Sequence, residues 1–92
     1  MLYAIHYTTR SSAATKADTI ALMTEFAKRG EMPGSIAHYV YPAGGGVLIA
    51  EQDDPAVLYE SIIAYSEWLE FNVEPALTID AAVPLIESYL AG

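Results

Sequence analysis

His6 and His38 are the only histidines of the chain. Imidazole is the side chain best suited to moving protons near neutral pH. Each sits in the middle of a β-forming run, LYAIHYTT and SIAHYVY. Asn72 and Glu74 alternate with Phe71 and Val73 in a further run, so one amide and one carboxylate share a strand face. If both histidines join that face, an imidazole pair stands beside Asn72 and Glu74. These four residues are the candidate catalytic set, for proton transfer or, with a carboxylate, for metal binding. No H-x-H or HExxH spacing is present, and no metal is expected.

Seven tyrosines and one tryptophan supply the other polar-tipped surfaces. A phenol beside an apolar pocket can hydrogen-bond an aromatic or quinol-like ligand. Tyr7, Tyr39, Tyr41 and Trp68 are the ligand-binding candidates. Glu51 and Glu74 become general-base candidates only if buried, since burial raises a carboxyl pKa. Gly44-Gly45-Gly46 is not a phosphate loop: no Lys-Ser/Thr follows, and it joins two strands. Ser11, Ser12 and Ser61 have no histidine at motif spacing, and no cofactor is implied.

The elements that must position these residues are legible in order. Leu2–Thr9 reads as a strand. Ser11 and Ser12 are candidate caps for a helix over about Ala13–Arg29, closed by Gly30. Ser35–Tyr41 is a second strand and Val47–Glu51 a third, joined by the glycine hairpin. Asp54 and Pro55 open a second helix running to about Ser66. Leu69–Val73 is a fourth strand, and Asp80 caps a last helix over Ala81–Leu90 with Pro84 in its first turn. Alternation assigns Tyr3, Ile5 and Tyr7 to the helix side of the first strand. Ala4, His6 and Thr8 fall on the other side.

This order is β-α-β-β-α-β plus a C-terminal helix. Right-handed crossovers then give an α+β, ferredoxin-like antiparallel sheet with both main helices on one face. The first and second strands are separated by the third, which holds the two histidines apart. Residues 1–92 are expected to form one domain.

Composition bounds the assembly. Apolar residues make up 53% of 92, more than so small a monomer hides easily, so a homodimer is expected. The net charge is −8: residues 1–50 sum to +1, and residues 51–92 carry nine acids and no base. Such a field repels phosphate backbones, so no nucleic-acid partner is expected. No cysteine is present, which excludes disulfides and thiolate chemistry. No signal peptide or bilayer-length apolar run is read, so a cytoplasmic protein with no membrane partner is expected.

One segment resembles a known family. The glycine turn followed by GVLIAEQDDPAVLYESIIAYSEWLEFNVEPAL is similar to the small DUF3303 proteins. The likeness rests on Glu51, the Asp53-Asp54-Pro55 helix start, Trp68 and the run Phe71–Pro75, with a looser fit at Tyr65-Ser66-Glu67. It implies a dimeric α/β barrel, a homodimer with two sheets face to face. The wider superfamily holds heme-degrading and quinol monooxygenases, small isomerases and dehydratases, and no activity is carried over from it.

Three functions follow as expectations. The first is binding of a small apolar or aromatic ligand, between sheet and helices or between two sheets. The second is a cofactor-free monooxygenase or isomerase acting on a small aromatic or polyketide-like substrate. The third is an interaction module whose acidic C-terminal half docks a basic partner.

Overall fold

The computed structural model describes residues 1–92. The strands are β1 (Leu2–Thr9), β2 (Ser35–Val40), β3 (Gly46–Glu51) and β4 (Leu69–Ala76). The helices are α1 (Lys16–Arg29), α2 (Pro55–Ile63) and α3 (Ile79–Leu90). The strands form one antiparallel sheet in the order β2-β3-β1-β4, the ferredoxin-like α+β arrangement the element order implies.

Local chemistry sets the boundaries. Ser11–Ala13 form a separate 3₁₀ turn, and α1 starts later than expected, at Lys16. Thr15 is the cap: its hydroxyl accepts from the Asp18 N–H, and the Asp18 carboxylate accepts from the Thr15 N–H. That reciprocal box outcompetes a serine cap with no partner. Asp54 caps α2 as read, accepting from the Ala56 N–H at 2.9 Å. Residues 64–68 then continue as tight turns with three-residue hydrogen bonds rather than as helix.

Two ends differ from the sequence reading. β4 runs on to Ala76 and includes Pro75, which an edge strand tolerates because one side of its backbone needs no partner. α3 begins at Ile79, capped by the Thr78 hydroxyl rather than by Asp80. Pro84 therefore lies in the second turn, where it leaves the Asp80 carbonyl without its helical N–H.

The core is small. Ile5, Met32 and Ala50 are buried together, with Leu48, Val57, Leu58, Phe71 and Val73 packed against them. These residues define the helix side of the sheet. The strand registers place Ala37, Tyr39, Val47, Ile49, Leu2 and Ala4 on the opposite, uncovered side. His6, Glu70, Asn72 and Glu74 make the polar margin of that same side.

The helices cover the sheet loosely, with Val57 and Leu58 of α2 reaching the core. Neither α1 nor α2 has a buried residue, and α3 is exposed along its whole length except at half-buried Ala82. The chain exposes 6422 Å², whereas a compact monomer of its mass exposes about 5200 Å². Its radius of gyration is 15.8 Å, against about 12 Å for a compact domain of this length. No helix is long and apolar enough to cross a membrane.

Candidate functional site

Between the sheet and the helices lies a cavity of about 1100 Å³. Its floor includes Ile5, Tyr7, Leu48, Leu69 and Phe71, and α1 contributes Leu22, Met23 and Phe26. α2 adds Val57, Ser61 and Ile62, and the turn after it adds Tyr65. Of the 29 lining residues 17 are hydrophobic, so an occupant would meet an apolar wall with a few polar groups.

Those polar groups are organised. The Tyr7 Oη lies 2.6 Å from His38 Nε2. His38 Nδ1 lies 2.9 Å from Glu31 Oε1. A carboxylate only accepts, so Nδ1 carries a proton, and with the ring in its neutral form Nε2 accepts from the tyrosine hydroxyl. The rings are held edge-on, Tyr7 to His38 at 71° with centroids 5.7 Å apart, and Phe26 of α1 also meets His38, with centroids 6.2 Å apart.

The backbone explains the meeting. Tyr7 pairs with Gly46 across β1 and β3, while His38 pairs with Leu48 across β2 and β3. A Cβ at Gly46 would stand 2.5 Å from the Tyr7 hydroxyl oxygen. The missing side chain on β3 is the channel through which Tyr7 crosses to β2. Glu31 comes from the turn after α1. Gly30, at φ 73°, ends the helix, and buried Met32 anchors the next residue but one in the core.

Burial raises the Tyr7 phenol above its ordinary pKa, and the Glu31 carboxylate and Tyr41 add to the rise. Tyr65 is raised in the same way, first by burial, and its hydroxyl oxygen is buried with no hydrogen-bond partner. Arg29, also at the wall, is held by Glu25 at 2.6 Å.

The residues expected from sequence are divided between two faces. Tyr7, His38 and Tyr41 line the cavity. His6 lies on the uncovered face beside Asn72, its register partner, in a hollow of about 190 Å³. Asn72 Nδ2 donates to Glu74 Oε1 at 3.1 Å. The imidazole pair therefore does not form, because the register sends His38 to the side of Leu48 and His6 to the side of Val47. Tyr39 follows His6 to the uncovered face, 62% exposed. Trp68 lines neither hollow and sits half-buried in the turn before β4, where its carbonyl accepts from the Arg10 N–H. Glu51 is exposed at the end of β3 and, with Asp53, contacts the Met1 ammonium. No cluster of three His, Asp or Glu side chains converges as a metal site.

Glu31 was not a sequence candidate. Its only signal is position: it follows a helix-ending glycine and precedes the strand that carries His38. The sequence marks Gly46 as a hairpin residue, and its second role follows from the strand register.

No curated protein matches the chain. The family described as "Domain of unknown function (DUF3303)" matches residues 1–90. With that match running over nearly its whole length, the chain belongs to the DUF3303 family.

Proposed function

We propose that this protein binds a small apolar or aromatic ligand in the cavity between its sheet and its helices. The observation that supports this reading is the size and lining of that cavity. Small-molecule pockets run from about 300 to 1,000 Å³ and are mostly apolar with a few placed polar groups. The cavity here is about 1100 Å³ and presents Tyr7, His38 and Glu31 among hydrophobic side chains. A cofactor-free isomerase of small aromatic substrates is the second reading, favoured by the hydrogen-bonded Glu31, His38 and Tyr7 on its wall.

The same proposal includes a homodimer of the dimeric α/β-barrel type. Two features support it. The uncovered sheet face carries half-buried Leu2, Ala4, Ala37, Val47 and Ile49 beside exposed Tyr39, and α3 exposes Ile79, Leu85, Ile86, Tyr89 and Leu90. The surplus surface over a compact monomer is about 1200 Å², more than the roughly 800 Å² per partner of a standard interface.

Thermal melting against a panel of small aromatics tests the binding. A ligand at 100-fold over its Kd adds about 2.7 kcal/mol, which raises the melting point of a domain this size by on the order of 10 °C. Leu22→Trp, which fills the cavity from α1, should abolish the shift while leaving the fold intact. A panel that never moves the wild-type melting point sinks the reading.

A further inference from the structure

The polar groups of the cavity are arranged for more than contact. Glu31, His38 and Tyr7 form one continuous hydrogen-bonded chain that starts at the exposed turn after α1 and ends at a phenol in the cavity wall. In the resting arrangement the Tyr7 hydroxyl donates to His38 and the His38 Nδ1–H donates to Glu31. The Tyr7 oxygen therefore keeps lone pairs for one further donor, and the cavity is where such a donor would sit.

We propose that this chain takes up the proton of a weakly acidic ligand O–H, so that the cavity selects phenols and enols and holds them as anions. The inference rests on the ligand-binding reading of the cavity. The step balances without any co-reactant. The ligand O–H breaks and its proton passes to the Tyr7 oxygen. The original Tyr7 proton passes to His38 Nε2, forming one N–H bond. The ligand anion then accepts from the Tyr7 hydroxyl, and the imidazolium is held between Tyr7 and the Glu31 carboxylate. Tyr7 ends as it began, a neutral phenol. Its raised pKa, set by burial and by Glu31, agrees with a group that relays a proton and does not keep the negative charge.

Other charged and titratable groups face the same space. Arg29 enters from α1, Glu60 from α2, Tyr65 from the turn after α2, and Tyr41 from the β2–β3 hairpin. Glu60 opposes an anion. Arg29 favours one, although Glu25 already engages its guanidinium. Arg29 is therefore the rival source of anion binding, and the test must separate it from the relay.

4-Nitrophenol is the probe, because its phenolate is coloured and it titrates near neutral pH. 4-Nitroanisole has the same shape and no acidic proton, so it reports binding alone. The wild-type protein should bind both and lower the apparent pKa of bound 4-nitrophenol by about one unit, a tenfold gain in proton release. Tyr7→Phe and His38→Gln should abolish that shift while 4-nitroanisole still binds. Glu31→Gln, at an exposed position that leaves the core untouched, should reduce it. Arg29→Gln should leave most of it in place. Equal pKa values in the wild type and in these relay variants, with 4-nitroanisole bound by all, overturn the relay and leave the cavity as a binding site. A shift that disappears only in Arg29→Gln assigns the anion to the guanidinium and also overturns the relay. Failure of both probes to bind overturns the relay together with the binding reading.

Discussion

Tyr7 reaches His38 across the full width of β3, and the 2.6 Å hydrogen bond between them exists because residue 46 has no side chain. The two residues stand on strands that do not touch. Any Cβ at position 46 would lie 2.3 Å from the Tyr39 carbonyl oxygen and 2.5 Å from the Tyr7 phenol oxygen. A residue that looks like hairpin punctuation thus decides whether the polar chain of the cavity can form.

Gly46→Ala should consequently cost more than a surface substitution. The intruding methyl must displace the Tyr7 ring and a backbone carbonyl, an overpacking that costs about 1–3 kcal/mol. Urea unfolding measures the loss. A change within about 0.5 kcal/mol, the range of ordinary surface substitutions, would show that the ring and strand have room to move.

The Tyr7–His38 bond itself is open to a double-mutant cycle. Tyr7→Phe alone should cost about 1 kcal/mol for a half-buried hydrogen bond, plus the unpaired His38 nitrogen. With His38→Gln as the second change, the coupling should be at least 0.5 kcal/mol, the lower bound for residues in one network. Strict additivity would show that the contact contributes nothing.

Tyr65 behaves in the opposite sense. Its hydroxyl oxygen is buried without a partner, so the wild-type residue carries a desolvation cost with no bond to offset it. Tyr65→Phe removes the oxygen and should leave stability unchanged or raise it by up to about 1 kcal/mol. A clear fall in melting temperature would mean that the hydroxyl is satisfied in solution.

Alkaline pH should expose both phenols. The folded-state pKa values of Tyr7 and Tyr65 lie above the ordinary value of 10.0, mainly through burial. Between the unfolded and folded values the unfolded chain has lost protons that the native chain keeps, so stability falls as pH rises. The stabilisation is fully present below about pH 10 and is lost as pH climbs through the folded values. A tyrosinate absorbance titration should show ionisation extending above the ordinary tyrosine value, together with loss of tertiary structure. Seven phenols titrating as one group near the free value would contradict this.

Dimerisation is tested on α3. Leu85→Glu with Ile86→Glu puts two charges on a helix that touches little else in its own chain. If that face packs on a second copy, the species measured by light scattering should shift from dimer to monomer. An unchanged dimer would confine the interface to the sheet, and a monomeric wild type would remove the homodimer.

The sequence by itself determined the elements and their order. Strand alternation placed Ile5 and Phe71 toward the helices, Asp54 and Pro55 opened α2, and β-α-β-β-α-β connectivity fixed the sheet order. These features depend on local propensity and a two-residue period, which short windows carry. The cap of α1 is Thr15 rather than Ser11 or Ser12, because only Thr15 has a reciprocal partner, Asp18, three residues on. The side chosen by His38 could not be read, because β2 shifts register between Ser35 and Ala37, and one extra residue reverses which face each later side chain takes. Tertiary structure alone brought Glu31, His38 and Tyr7 together. They come from a turn and two strands that do not pair with each other, and their meeting depends on a buried methionine, a bulge and one absent side chain at Gly46.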